Sequence, residues 1–103
     1  MSSIDLKQQE REQSRWLILS VLNAARPIGT NEGLILSTIQ SVLPGVTQQE
    51  LRKELVYLED RKLIEISHQH TGTWFGKLTR NGVDLVEYTV PVDPGIARPE
   101  RYW

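Results

Sequence analysis

The segment 44-PGVTQQEL-51 constrains this chain more tightly than any other. Thr47 can accept from the main-chain N–H of Glu50, Glu50 can reach back to the N–H of Thr47, and Val46 and Leu51 are spaced to staple the turn with an apolar contact. A helix therefore begins at Gln48. Upstream, Asn31 is placed to cap a helix carrying Leu34, Ile35, Thr38, Ile39, Val42 and Leu43, which stops at Pro44 and Gly45. Two helices joined through so short a turn containing Gly make a helix-turn-helix. The residues from Leu51 to Ile66 narrow the choice further. Leu51, Leu55 and Leu58 keep the spacing of a helix face to about Arg61, whereas Leu63 or Ile64 and Ile66 keep that of a strand, with only the charged residues Glu59 to Lys62 between.

The remaining segments fit around that pair. Residues 3-SIDLKQQEREQSR-15 are strong helix formers with Ser3 as a candidate cap, and the apolar-free run 7-KQQEREQSR-15 is not expected to bury itself. The helix continues into 16-WLILSVLNAA-25, whose core stripe is Ile18, Val21, Leu22 and Ala25. Trp16 and Leu19 fall on its flanks, where they either cover the core edge or form a dimer contact. Downstream, strands near 63–69 and 73–79 flank 70-HTG-72, where Gly72 supplies a positive φ for a hairpin. Trp74 and Phe75, adjacent on a strand, point to opposite faces. Thr79 caps a short helix over 80–88, which accommodates Gly82 at some loss of helix propensity.

Residues 89–103 carry three prolines and should run extended, docking on the domain or across a dimer through Tyr102 and Trp103. The predicted fold is α+β, mainly α: a winged helix-turn-helix of three helices, a β-hairpin wing, a short fourth helix and an extended C-terminal tail. The domain covers 1–88 and the Pro-rich tail 89–103.

Composition excludes more than it assigns. The absence of cysteine rules out disulfides, zinc-thiolate sites and thiol nucleophiles. His68 and His70 form an H-x-H with no third histidine in the chain, and read as surface residues rather than metal ligands. With both histidines in one hairpin and no phosphate-cradling glycine loop, neither an enzyme, a cofactor, a metal nor a small-molecule substrate is expected. The longest apolar run, 16-WLIL-19, is too short for a membrane span, and the polar N-terminus lacks a signal-peptide pattern, so a cytoplasmic protein is expected. Twelve basic and thirteen acidic side chains leave a net charge of −1. A nucleic-acid binder normally neutralises phosphates with an excess of Lys and Arg. Any basic face must therefore come from three-dimensional arrangement.

The segment 58-LEDRKLIEI-66 followed by 78-LTRNG-82 resembles the "L-E-x-x-G-L-I … L-T-x-x-G" pattern of many winged-helix regulators, with Lys62 where glycine is usual, so that this helix end is expected to lack a left-handed cap. More closely, 51-LRKELVYLEDRKLI-64 and 78-LTRNGVDLVEYTVPVDPGIARP-99 resemble a family of small winged-helix proteins of Mu-like phages and prophages. Its members are described as proteins of unknown role or as ArsR-like transcriptional regulators. The resemblance implies phage biology and the winged-helix fold, and DNA binding by the fold's general habit.

On that fold the N-terminal half of the third helix would read duplex DNA through Gln48, Gln49, Arg52 and Lys53, with Lys77 of the wing on a phosphate. Glu50, Glu54, Glu59 and Asp60 on the same helix oppose it. The alternative is a winged helix used as a protein-interaction module in a phage assembly or packaging complex, presenting Val56, Tyr57 and the aromatic tail to a phage protein.

Overall fold

The start signature at Thr47 forms in full. A computed structural model describes residues 5–101. In it the Thr47 hydroxyl accepts from the Glu50 N–H at 3.2 Å, and the Glu50 carboxylate accepts from the Thr47 N–H at 3.1 Å. In chain order the elements are α1 (Leu6–Ala24), β1 (Thr30–Asn31), α2 (Glu32–Gln40), α3 (Gln48–Asp60), β2 (Ile64–Ser67), β3 (Phe75–Leu78) and α4 (Arg80–Val86). The described residues thus form an α+β fold, mainly helical, with four helices and one antiparallel sheet of order β1-β3-β2. Asn31 caps α2 by accepting from the Leu34 N–H at 2.9 Å, and Thr79 caps α4 by accepting from the Gly82 N–H at 3.1 Å. For α1 the cap is Asp5, which accepts from the Gln8 N–H; Ser3 lies outside the described residues.

Apolar spacing decides which faces meet. Ile18, Leu19 and Leu22 of α1, Ile35 and Ile39 of α2, and Leu51, Leu55 and Leu58 of α3 are all fully or almost fully buried in one cluster, closed by Ile64 and Leu78 of the sheet and Leu85 of α4. Burying each such side chain contributes about 1.5 to 3 kcal/mol, so packing rather than helix propensity holds α1 to α3 together. The α2 stripe is narrower than its spacing suggests. Ile35 and Ile39 are buried, but Leu34 and Val42 are about half exposed.

The passage from helix to strand has a specific geometry. The Lys62 N–H donates to Glu59 O at 2.8 Å and the Leu63 N–H to Leu58 O at 3.0 Å, the paired bonds of a Schellman ending. Lys62 itself takes the left-handed position, at φ 63°. The expectation that this helix end lacks such a cap is therefore corrected: lysine occupies the conformation that glycine would. From there β2 pairs with β3 in the register Ile64↔Leu78, Glu65↔Lys77, Ile66↔Gly76 and Ser67↔Phe75. Two residues of β1 extend the sheet, with Thr30 opposite Gly76. Gly82 is required rather than merely tolerated, since a Cβ there would run into Leu63 O.

Two expectations for α1 fail. Leu19 lies in the core, 0% exposed, and not on a flank. The polar run before it does bury side chains: Ser14 and Arg15 are both inside. Arg15 donates through Nε to Glu54 Oε1 at 2.7 Å and through Nη1 to Gly95 O at 2.8 Å, which matches its charge and a further N–H to acceptors.

The chain after α4 packs across the helices. Ile96 is 3% exposed, the Ala97 N–H donates to Glu12 O at 3.1 Å, and Arg98 Nη1 donates to Leu85 O and Val90 O, each at 2.9 Å. The first of those carbonyls belongs to the end of α4, so Arg98 acts as a C-terminal cap. Docking thus uses Ile96, Arg98 and Gly95, while Tyr102 and Trp103 lie outside the described residues.

Candidate nucleic-acid interface

Helix α3 owes its outward face to its capping box and leucine stripe. Burying Leu51, Leu55 and Leu58 turns Gln49, Lys53, Val56 and Asp60 to solvent and leaves Arg52 and Tyr57 at the two edges. Of the four candidate readers and Lys77, all but Arg52 are exposed: Gln48, Gln49, Lys53 and Lys77 face solvent. Glu32, the first residue of α2, engages Arg52 and also accepts from the exposed Gln48.

Glu32 is the centre of this region and is only 3% exposed. Arg52 donates to it twice, Nε to Oε2 at 2.8 Å and Nη2 to Oε1 at 2.6 Å. The Trp74 N–H donates to Oε1 at 3.1 Å, Gln48 Nε2 to the same oxygen at 3.3 Å, and the Glu32 N–H returns a bond to Trp74 O at 2.8 Å. Arg52 Nη2 also reaches Gly72 O at 2.6 Å, and its guanidinium lies 4.6 Å from the Trp74 ring centre. One carboxylate thus joins α2, α3 and the hairpin. The Arg52 guanidinium holds the Glu32 carboxyl below its ordinary value, against the opposing effect of burial, with the Trp74 N–H adding to the shift, and Glu32 raises Arg52 in return. The Thr47 N–H and hydroxyl lower Glu50 in the same way.

The electrostatics of the face are mixed. Lys77 stands directly across the β2–β3 pair from Glu65, so its charge has an opposite neighbour. Glu54 is neutralised by Arg15, and Arg52 by Glu32. His68 and His70 are both exposed, His68 resting edge-on against Phe75 at 5.9 Å, and among the described residues no three metal-ligating side chains converge. Trp74 and Phe75 are both half-buried, with Trp74 the one packed on the core cluster.

Tyr57, which the helix period places on an exposed surface, is half-buried. The Arg15 and Arg61 guanidinium groups lie 3.6 and 3.5 Å from its ring centre, and its hydroxyl packs on Gly95, where a Cβ would collide with it. Arg61 continues to Asp93 at 3.4 Å, fastening the tail to α3. Of the expected dimer contacts, Leu19 is removed by burial. Trp16 is half-buried, 6.4 Å edge-to-face from Tyr88. Exposed apolar surface lies instead in a groove of about 280 Å³ between α1 and α2, lined by Val21, Ala24, Ala25, Thr30, Leu34 and Thr38.

Spacing on α3 was enough to place Gln49 and Lys53 on its exposed face. The Glu32 network was missed because it is assembled from residues 16 to 42 positions apart. A Glu in the first turn of α2 reads from sequence as a favourable helix-dipole residue and nothing more. Among the described residues no helix is long and apolar enough to cross a membrane. Compared with protein-family models, curated proteins and solved structures, the chain matches none.

Proposed function

We propose that this chain is a winged-helix protein of the Mu-like phage type that binds duplex DNA in the cytoplasm, in transcriptional regulation or DNA handling. Helix α3 enters the major groove and the β2–β3 hairpin acts as the wing. The observation that carries this reading is the Glu32 joint, which fixes the hairpin beside the outward N-terminal half of α3 as one surface. A helix-turn-helix reads bases with the N-terminal residues of its second helix, and here Gln49 is polar and accessible for that role, with the exposed Lys53 beside it for a phosphate.

With Arg52 paired, Lys53 and Lys77 carry the phosphate contact. Nonspecific binding should sit at the weak end of the usual range of roughly 10⁻⁴ to 10⁻⁶ M at physiological salt. Replacing both lysines with Ala should lower the salt slope by about two and leave the fold intact, since neither touches the core. Anisotropy titrations with duplex DNA flanking its own gene check this.

The reading includes a homodimer, because paired half-sites are met by a two-fold protein. With Leu19 in the core, the α1–α2 groove takes over the contact. Leu34→Glu should then convert dimer to monomer in sedimentation, and Trp16→Ser should not.

One observation favours a second reading, a protein-interaction module in a phage assembly or packaging complex: the compensation of Arg52 by Glu32, with Glu65 placed across the strand pair from Lys77, leaves little net positive charge beside the exposed Val56. Absence of DNA retardation at low salt, together with capture of a phage protein that depends on Val56 and is insensitive to salt, would replace the DNA reading with this one.

A further inference from the structure

We infer that Glu32 is a positioning residue for DNA reading: it turns Arg52 from a phosphate-seeking cation into a fixed hydrogen-bond donor for a base edge. This rests on the DNA-binding reading and deepens it.

A guanidinium has five N–H groups, and three are engaged here: Nε–H with Glu32 Oε2, and the two of Nη2 with Glu32 Oε1 and Gly72 O. Among the described residues the two on Nη1 have no partner, and the side chain is 30% exposed. The plane of the group is set twice, by the bidentate carboxylate along one edge and by the Trp74 ring beside it. An unpaired arginine on a long stem seeks phosphate wherever it finds it, because charge acts at a distance and demands little geometry. Paired with Glu32, Arg52 has no net charge left to offer, and the pair's field falls off quickly. What remains is a short-range, directional donor whose match is a single acceptor such as purine N7 or guanine O6. Because Glu32 also binds the Trp74 N–H, the same carboxylate sets the position of that donor relative to the hairpin.

Removing the carboxylate charge therefore has a consequence opposite to that of removing a structural prop. Wild-type protein, Glu32→Gln and Lys53→Ala are titrated with two duplexes, one selected by the wild-type protein from a random-sequence pool and one its scramble, over about 50 to 200 mM salt. In Glu32→Gln the salt slope should steepen by about one phosphate contact, binding to the scramble should tighten severalfold, and preference for the selected duplex should fall about tenfold. Lys53→Ala should make the slope shallower by the same amount and keep the preference. Weaker binding of Glu32→Gln to both duplexes without a steeper slope, or no change at all, overturns the inference and leaves the DNA reading standing. No binding by the wild-type protein to any duplex at low salt overturns the DNA reading itself. Should Glu32→Gln not fold, the wild-type protein decides. Its Arg52 Nε–H resonance should stay in its hydrogen-bonded, slowly exchanging position when the selected duplex is added, and release from Glu32 on DNA addition overturns the inference.

Discussion

Arg52 and Arg15 serve the same purpose at two places: each brings a cation to a glutamate that the fold has buried. A buried carboxylate left alone is costly, and its guanidinium partner offsets that cost only where the remaining oxygen sites also find donors. Glu32 meets the condition with Gln48 and the Trp74 N–H beside Arg52. Its depressed pKa gives a pH dependence of definite sign. Glu32 and Glu50 both titrate below the ordinary 4.5 in the folded chain, so their contribution is fully present above that value and is lost as pH falls below it. Thermal denaturation followed against pH should show this loss on the acid side, with a shallower acid limb in Glu32→Gln than in wild type. An equal limb in both would place the acid sensitivity elsewhere. Neither pair was legible from sequence, because the partners stand 20 and 39 residues apart and each arginine looks like an ordinary surface cation in its own helix.

Among the elements, the end of α3 carries the clearest local tension. A left-handed residue with a Cβ is disfavoured by about 1 to 2 kcal/mol relative to its right-handed form, and Lys62 holds that position at φ 63° with its side chain exposed. Lys62→Gly should therefore stabilise the chain by about 1 kcal/mol, read as a shift in denaturant midpoint with an unchanged slope. Destabilisation would mean that the lysine side chain contributes something this ending does not need. The capping box of α3, the N-caps of α2 and α4 and the helix periods were legible because they act within about one turn. Strand β1 was not: two residues carry no periodicity, and Asn31 already had a role as the α2 cap. The width of the α2 stripe was misread for a related reason. Spacing marks which residues share a face but not how much of that face a neighbour covers, and Leu34 and Val42 remain half exposed.

At the scale of the whole molecule, the segment after α4 acts as a strap from α4 back across α1 and α3. Ile96 is its apolar anchor, Asp93 and Gly95 meet Arg61 and Arg15, and Arg98 ties it to the end of α4. Ile96→Ala should cost about 2 to 3 kcal/mol, within the range for deleting a buried isoleucine, and should open the chain to proteolysis beyond Pro91 before the helical domain is cut. Cleavage beyond Pro91 in the wild-type protein, with no loss of stability, would show that the strap contributes nothing to the fold.

The sequence by itself determined what is decided within a few residues of chain: the caps at Asn31, Thr47 and Thr79, the leucine face of α3, the switch of period between Leu58 and Ile66, and through them the order of helices and hairpin. These features rest on hydrogen bonds and side-chain repeats spanning a turn or a strand pair, which a linear reading captures. Only the tertiary structure decided which polar side chains face solvent. It placed Leu19 inside, drew Arg15 and Glu54 into the interior, and committed Arg52 to Glu32, leaving Gln48, Gln49, Lys53 and Lys77 outward, with Gln48 still donating to Glu32. The charge a helix offers depends on what sits across from it, and those partners come from other elements, at distances along the chain that no local pattern records.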